Sequence, residues 1–214
     1  MDSITLNKVL PHVFSHVQGL VSDVWNEEIT FHKGHYYLLE ANSGKGKSTF
    51  CSYLIGYRRD FNGKILFDEQ NINALTIKDW AEIRTRQVSY LFQELRLFPE
   101  LTALENVLIK NNMTHFKTKA QILDWFEELG VADKLNVRIG QMSFGQQQRV
   151  ALIRSLVQPF DFLLADEPIS HLDDDNSNVM GQVLLREATH QGAGIIVTSI
   201  GKHLALKYDK VVRL

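Results

Sequence analysis

Residues 41–49 read Ala-Asn-Ser-Gly-Lys-Gly-Lys-Ser-Thr, and this stretch decides the fold class. A short apolar run at 36–40 precedes it, and a helical pattern at 47–57 follows it. A strand, a glycine-rich turn and a helix N-terminus in this order form a phosphate-binding loop, or P-loop. We predict that the whole loop contacts nucleotide, that is Ala41, Asn42, Ser43, Gly44, Lys45, Gly46, Lys47, Ser48 and Thr49.

The residue types of this loop match the chemistry of a triphosphate. Gly44 and Gly46 let backbone N–H groups turn toward phosphate oxygens, where a side chain would block the approach. Lys47 supplies a positive charge to the β- and γ-phosphates, and the Ser48 hydroxyl is a ligand for Mg²⁺. Ala41 stands where the motif begins with glycine, and alanine fits there if the backbone keeps a negative φ. Alone, the loop predicts only a protein that binds a nucleoside triphosphate.

A second segment, Phe-Leu-Leu-Ala-Asp-Glu-Pro at 162–168, ends an apolar run with two carboxylates. The run predicts a strand that is buried on both faces. Asp166 is expected to hold the Mg²⁺ shell opposite Ser48, and Glu167 to accept a proton from the attacking water. An acidic pair at a helix N-terminus is the structural alternative. It accounts poorly for two carboxylates in a chain that already has a P-loop.

The rest of the chain alternates short β-like runs with helical ones, which predicts an α/β fold with a largely parallel sheet. Strands are expected at 36–40, 64–67, 88–92, 162–165, 195–198 and 210–214, and helices at 47–57, 103–110, 118–129, 145–156 and 174–190. Between residues 93 and 143 helix follows helix with no convincing strand. We therefore predict one domain, with a nucleotide-binding core at 1–93 and 144–214 and an inserted helical lobe at about 94–143.

Composition excludes several classes of protein. A net charge of −2 gives no basic field that would attract nucleic acid, so no nucleic-acid partner is expected. The single cysteine, Cys51, excludes an internal disulfide framework and fits a reducing compartment, where a small buried side chain is the expected role. No run approaches the roughly 20 apolar residues that span a bilayer, and the N-terminus lacks a secretory signal pattern. The chain is expected in the cytoplasm, with any membrane role exerted through another polypeptide.

Residues 142–151, Met-Ser-Phe-Gly-Gln-Gln-Gln-Arg-Val-Ala, resemble the signature of the ABC ATPase family, Leu-Ser-Gly-Gly-Gln followed by Gln-Gln-Arg-Val-Ala. In that family the signature of one subunit covers the ATP held by the P-loop of the other. The resemblance implies that Ser143, Gly145 and Gln146 contact ATP, and that two such domains enclose two nucleotides. Phe144 replaces the usual glycine and puts the closeness of this contact in doubt. An amphipathic helix with a serine N-cap is the alternative interpretation.

Other motifs follow in the order of the same family, and the resemblance covers essentially the whole chain. Residues 90–93, Tyr-Leu-Phe-Gln, are similar to its Q-loop, which implies that Gln93 touches Mg²⁺ or the lytic water. Residues 170–173, Ser-His-Leu-Asp, resemble its D-loop, which lies across the dimer interface. Residues 98–107 look like the segment after the Q-loop in transporter subunits. Phe14 stands near the position of the aromatic residue that stacks on adenine, with a core aromatic as the alternative.

The pattern breaks after the run at 195–198, where the family has a switch histidine that contacts the γ-phosphate. This chain has Ser199 there and Ile200 where an acidic residue is usual. Serine is shorter and carries no positive charge, so it replaces that role poorly. His203 is expected to be a solvent-facing helix residue rather than a relocated switch, and His171 is a second possible substitute. Either Glu167 alone supports slow hydrolysis that a partner accelerates, or ATP acts mainly to hold a dimer together.

The resemblance implies an α/β P-loop core with a mainly parallel sheet, an antiparallel β part and an inserted helical lobe. It implies an ATPase subunit with cofactors ATP and Mg²⁺, catalytic residues Glu167, Gln93 and Lys47, and metal ligands Ser48, Gln93 and Asp166. The subunit would pair with a second copy or a paralogous ATPase subunit and power a separate permease at the inner face of the membrane. The branch that handles lipoprotein release, macrolide export and cell division is the expected one. A soluble ABC ATPase, or a non-hydrolysing clamp on a macromolecule, is the alternative.

Overall fold

A computed structural model describes residues 1–17, 19–42, 44–169 and 172–214. The strands in these ranges are β1 (Ser3–Pro11), β2 (Glu28–His32), β3 (Tyr36–Glu40), β4 (Phe61–Phe67), β5 (Gln70–Asn71), β6 (Val88–Leu91), β7 (Phe162–Asp166), β8 (Gly194–Ser199) and β9 (Lys210–Arg213). The α-helices there are α1 (Lys47–Leu54), α2 (Ile77–Glu82), α3 (Ala103–Asn111), α4 (Lys119–Glu128), α5 (Phe144–Leu156) and α6 (Asp174–Gln191). None of these helices is long and apolar enough to cross a bilayer.

The strands form two sheets, which confirms the predicted fold class. The parallel sheet has the order β6-β7-β8-β3-β9, and the antiparallel sheet has the order β2-β1-β4-β5. Because β3, β6, β7 and β8 run parallel, their carboxyl ends lie at one edge of the sheet. Segments that follow such strands meet at that edge, where α/β proteins bind their ligands.

The central strands are buried on both faces, as their apolar sequences predict. Every residue of β7 and of β8 is buried. Along β7, Leu163 packs into one apolar cluster together with α5 and α6, whereas Phe162 and Leu164 pack into another with α1 and the antiparallel sheet. This alternation follows the two-residue period of a strand. The packing of β7 on both faces fixes the position of Asp166, the last residue of this strand.

Two helix expectations need correction. The helix predicted at 47–57 ends at Leu54, because Gly56 has a φ of +71° and the Trp80 ring occupies the place of a Cβ. His203 is exposed as expected, but residues 200–209 form no helix. Its ring nitrogen lies 3.1 Å from the Leu204 carbonyl, and its ring lies 5.5 Å from that of Tyr208, so local contacts hold this segment.

Residues 94–143 contribute α3 and α4 and no strand of either sheet. Their buried side chains, including Val107 and Phe126, join the apolar cluster that also contains Val150 of α5 and Leu163 of β7. The helical stretch is thus continuous in packing with one face of the parallel sheet. Its treatment as an inserted lobe between 1–93 and 144–214 stays a prediction.

A buried ion pair links this helical stretch to α6. Lys117 Nζ lies 2.8 Å from Glu187 Oε1, and the two side chains are only 5% and 8% exposed. The Asn111 side chain bonds the Lys117 backbone at both its N–H and its carbonyl, and Gln191 donates to the same Glu187 oxygen. Removal of one partner from a buried ion pair leaves the other charge unpaired in the interior, which lowers the stability of the fold.

We predict that Lys117→Met lowers the free energy of unfolding by about 3–5 kcal/mol, because it leaves the Glu187 carboxylate buried and unpaired. Addition of Glu187→Gln should restore part of this loss. The exposed pair Arg86–Glu82 supplies the control, and Arg86→Met should cost less than about 1 kcal/mol. Urea unfolding followed by circular dichroism measures all three variants. Equal costs for the two single variants would contradict this account.

Candidate functional site

A cavity of about 340 Å³ opens at the carboxyl edge of the parallel sheet. It collects residues that are far apart in the sequence, among them part of the predicted P-loop and the predicted Gln93 and Glu167. Its lining is Val13, Phe14, Gly44, Gly46, Lys47, Ser48, Thr49, Arg58, Gln93 and Glu167. Ala41 and Asn42 contribute backbone carbonyls to the same loop, and Ser43 lies outside the described residues.

The loop at 41–49 leads into α1, whose first residue is Lys47. Gly44 and Gly46 have φ values of +79° and +98°, in the region that glycine adopts without strain. The Lys47 ammonium is buried and donates to the carbonyls of Ala41 at 3.0 Å and Asn42 at 3.3 Å. These bonds hold one positive charge beside the N-terminus of α1, where the helix dipole adds to it.

Glu167 lies between two of the other predicted residues. Its Oε1 is 3.4 Å from Lys47 Nζ, and its Oε2 accepts a hydrogen bond from Gln93 Nε2 at 3.2 Å. Its backbone has a φ of +49°, and its N–H donates to the Thr198 carbonyl at 3.2 Å. The structure thus brings together the three residues predicted to be catalytic, and it aims the Glu167 carboxylate into the cavity.

Asp166 ends β7 and is 1% exposed. Tyr90 Oη donates to its Oδ2 at 3.0 Å, and the Thr198 hydroxyl donates to its Oδ1. Each carboxylate oxygen keeps a free lone pair, so Asp166 can still accept a bond from a water molecule on a metal.

The donor set suits Mg²⁺. Asp166, Ser48 and Gln93 offer only oxygen ligands, which Mg²⁺ prefers. No group of three His, Cys, Asp or Glu residues that could hold a metal occurs in the described residues. Mg²⁺ does not need such a cage, because it keeps several waters and is bound through one or two protein groups plus substrate phosphates.

An aromatic pair lies beside the loop. Phe14 ends a short 3₁₀ turn, and its ring is 6.4 Å from the Trp25 ring. A Cβ on Gly46 would be 3.0 Å from Phe14 Cε2 and 3.2 Å from Trp25. The Trp25 indole N–H also donates to the Lys45 carbonyl at 3.2 Å. Phe14 is thus a cavity residue, and Trp25 supports both it and the loop.

Sequence reasoning missed Arg58. Its Nη1 lies 3.2 Å from Thr49 Oγ1, and its Nε lies 2.9 Å from Asp60 Oδ1. The hydrogen bond to Asp60 raises the pKa of the guanidinium and lowers the pKa of the Asp60 carboxyl. Arg58 follows the bend at Gly56 in a segment without a motif, so no pattern in the sequence marked it. The short helix α1 brings it back to the cavity.

The predicted signature lies at the start of α5. Ser143 caps this helix: its Oγ accepts from the Gln146 N–H at 3.3 Å, and its own N–H donates to Gln146 Oε1 at 3.0 Å. Arg149 fixes the helix by donating to the Leu129 carbonyl and to Asn176. Among the described residues, none of those that line the cavity comes from α5. The structure therefore does not bring Ser143, Gly145 and Gln146 to the same cavity as the P-loop.

Comparison with known proteins shows the family. The profile of the ABC transporter family matches residues 25–170. The lipoprotein-releasing system ATP-binding protein LolD of Syntrophotalea carbinolica is 33% identical over 80% of this chain and 77% of its own length. The uncharacterized ABC transporter ATP-binding protein YclH of Bacillus subtilis is 31% identical over 92% and 86%. The chain belongs to the ABC transporter family.

A solved structure agrees with this assignment. The ATP-binding cassette MJ0796, in a dimeric post-hydrolysis state bound to ADP and Pi, superposes with a TM-score of 0.77. It is 25% identical over 92% of this chain and 87% of its own. The chain is accordingly an ATPase of the ABC family, and its α/β P-loop fold is the family fold.

This ABC ATPase differs from the family pattern at the switch position. The Ser199 hydroxyl is 1% exposed and is used within its own turn, where it donates to the Lys202 carbonyl at 2.8 Å and accepts from the Gly201 N–H at 2.9 Å. It does not line the cavity among the residues described there. Lys202 Nζ instead reaches the Leu172 carbonyl and Asp174. Ser170 and His171 of the predicted D-loop lie outside the described residues.

We predict that Gly46→Ala destabilises the nucleotide-free chain more than Gly44→Ala does. Both positions have positive φ, so alanine costs about 1–2 kcal/mol at each. Only at Gly46 does the added Cβ meet Phe14 and Trp25, whereas nothing lies within 4 Å at Gly44. This crowding should add about 1–3 kcal/mol. Urea unfolding measures both variants, and equal losses would mean that the aromatic pair does not pack on the loop.

Proposed function

We propose that this chain binds Mg²⁺ and ATP in the cavity at the P-loop, closes on a second copy of itself and hydrolyses ATP to drive a separate membrane permease. The observation that carries this proposal is the meeting of Lys47, Gln93 and Glu167 at one cavity, with Asp166 buried beside it. ATP hydrolysis requires a cation that binds the phosphate oxygens. It also requires a carboxylate within hydrogen-bonding distance of the attacking water.

The Lys47–Glu167 contact links the binding of ATP to the release of Glu167 as a general base. The Lys47 ammonium lies 3.4 Å from the Glu167 carboxylate. Phosphate oxygens that enter the loop carry more negative charge than one carboxylate, and they compete for the same ammonium. Binding of ATP therefore draws Lys47 toward the phosphates. Glu167 keeps its bond to Gln93 and becomes free to accept a proton from water, in the role of general base.

Mg²⁺ would be held by Ser48, Gln93 and Asp166. The ion supplies neutralising charge for the β- and γ-phosphates. Asp166 is suited to orient water around that ion, because its two oxygens are already fixed by Tyr90 and Thr198. The remaining loop residues donate backbone N–H groups to the phosphates.

The nucleoside end of ATP would lie on the side of Phe14 and Arg58. Phe14 offers a ring face beside Gly46, which suits stacking of adenine. Arg58 keeps unused N–H donors beyond those that bond Thr49 and Asp60, so it can add a bond to a phosphate or ribose oxygen. Val13 completes the apolar edge of the cavity.

A second copy would complete the site. The cavity has a P-loop but no residue of the signature helix among those described. The start of α5 offers backbone N–H groups and the positive end of a helix dipole, which bind anions. In a head-to-tail pair, Ser143, Gly145 and Gln146 of one copy would meet the ATP held by the other. The dimeric state of MJ0796 supports this arrangement.

The permease would dock in a groove beside the edge strand β6. A cavity of about 250 Å³ there is walled by α3 and is rimmed by the exposed apolar side chains Phe98, Ile109 and Met113. Lys110 and Arg154 flank it; burial, then the charge of Arg154, lowers the pKa of Lys110 to about 8. Arg154 donates to the carbonyls of Leu95 and Arg96, and no carboxylate of the described residues pairs with either cation. We assign the groove to an apolar cytoplasmic segment of a permease that carries a carboxylate.

The helical stretch at about 94–143, which forms a wall of this groove, would act as the lobe that moves with the permease. The chain would then lie at the cytoplasmic face of the membrane. Similarity to LolD supports the branch of lipoprotein release, macrolide export and cell division. A soluble ABC ATPase that acts on a macromolecule would use the same groove for a different partner, and co-purification with an integral membrane protein distinguishes the two.

We predict that Glu167→Gln lowers steady-state ATP turnover by about 10²–10⁴-fold, because it removes the general base. ATP affinity should be kept or should rise, because the amide keeps the shape of the side chain and no longer competes with phosphate for the Lys47 ammonium. Release of phosphate and binding of a fluorescent ATP analogue measure the two effects, with the exposed Glu69→Gln as the control. Turnover at the wild-type rate in Glu167→Gln would assign the base to another residue. A wild-type chain that binds ATP without turnover above that variant would be a clamp.

We predict that Met113→Glu prevents co-purification with the permease. The new carboxylate would replace an apolar contact and would repel the carboxylate of the permease segment. ATP binding by the purified chain should be unchanged. Val211→Glu is the matched control, since Val211 is also half exposed but lies on β9 at the opposite edge of the sheet. Loss of the permease with both variants, or with neither, would argue against this groove.

A further inference from the structure

We propose that Tyr90 is a positioning residue for the metal site: its hydroxyl holds the Asp166 carboxylate in the orientation that Mg²⁺ requires. This inference rests on the proposed function, because it takes Asp166 as the carboxylate that serves Mg²⁺. Tyr90 lies on β6, the neighbour of β7, where its register partner is Leu164. Its Oη reaches past the strand end and donates to Asp166 Oδ2 at 3.0 Å.

The bond is one of two that fix Asp166. The Thr198 hydroxyl, from β8 on the other side of β7, donates to Oδ1. A carboxylate that is held by one donor can still rotate about its last bond. Donors from both neighbouring strands fix the plane of the carboxylate and leave one lone pair on each oxygen for water.

The position of the Tyr90 ring is itself fixed. The centre of its ring lies 4.0 Å from that of the Phe92 ring, and the Arg96 guanidinium lies 4.3 Å from the centre of the Phe92 ring. On its inner side the hydroxyl interacts with the Cys51 thiol of α1. Burial raises the pKa of the Tyr90 phenol above its ordinary value.

Tyr90 therefore connects three parts of the site. Cys51 follows Thr49 by two residues on the P-loop helix, Asp166 ends β7, and Gln93 follows Tyr90 by three residues. The end of β6 thus supplies one donor to each of the two adjacent carboxylates, Tyr90 to Asp166 and Gln93 to Glu167. Removal of the Tyr90 hydroxyl should free Asp166 without disturbing Glu167.

The test compares ATP binding with and without the metal in the full chain. Tyr90→Phe removes one oxygen and keeps the ring and its packing. We expect ATP affinity in EDTA to stay within about twofold, and the gain in affinity on adding Mg²⁺ to fall about ten- to hundredfold, as for a lost bond to a charged group. Binding of Mn²⁺ to the nucleotide complex, followed by electron paramagnetic resonance, should weaken in parallel.

Tyr208→Phe is the matched control, because its half-buried hydroxyl donates to the Leu204 carbonyl rather than to the site. Asp166→Asn distinguishes the role of Tyr90 toward Asp166 from the role of Asp166 toward the metal. If Asp166→Asn lowers the Mg²⁺-dependent gain and Tyr90→Phe does not, the role of Tyr90 is overturned while the metal site stands. If neither variant lowers it, Asp166 does not serve the metal and both proposals fail. Thermal unfolding of each variant shows whether an effect is merely a loss of fold.

Discussion

The site depends on an excess of positive charge at the turn between β3 and α1. The dipole of α1 adds positive charge at this point, and the Lys47 ammonium is buried there. A buried ammonium needs partners. In this chain the carbonyls of Ala41 and Asn42 and the carboxylate of Glu167 supply them. The same groups that hold Lys47 in the free chain leave it ready for phosphate.

The carboxyl end of β7, between its neighbours β6 and β8, supplies the negative charge of this arrangement. Asp166 ends a strand buried on both faces, so it has almost no contact with solvent and must be satisfied by the protein. Tyr90 and Thr198 do this from β6 and β8. Glu167 then leaves the sheet at a positive φ, which turns its side chain toward the P-loop instead of along the strand. The order β6-β7-β8-β3 is what lets four separate segments act at one cavity.

The sequence predicted the fold class and which motif residues lie near one another, but it did not predict every element around them. Apolar runs such as those at 162–165 and 195–198 are strands in any context, and the P-loop fixes its own strand and helix. The antiparallel sheet was predicted in kind, but of its strands only β4 was predicted, at 64–67. Strands β1, β2 and β5 were missed, and in β1 a bulge between Asn7 and Leu10 interrupts the alternation. Helix α2 was missed although Thr76 and Asp79 form a capping box at its start. A six-residue helix has too few turns to show a period.

Contacts between residues far apart in the chain could not be predicted from the sequence. Arg58 reaches the cavity because the chain bends at Gly56, a tertiary effect of the Trp80 ring. Ser199 was identified as the replacement for the switch histidine, but nothing in the sequence showed that its hydroxyl bonds within its own turn. Among the described residues, the switch position therefore adds no side chain to the cavity that Glu167 and Gln93 line.

The central claim is that one chain holds half of an ATP site and that a second copy completes it. Sedimentation velocity of the Glu167→Gln variant, with and without Mg²⁺ and ATP, tests this claim most directly, because slow turnover preserves the ATP-bound state. The account predicts a monomer without nucleotide and a dimer at saturating ATP, and it predicts that Ser143→Arg abolishes the dimer. A chain that binds ATP and remains a monomer at micromolar concentration would contradict it.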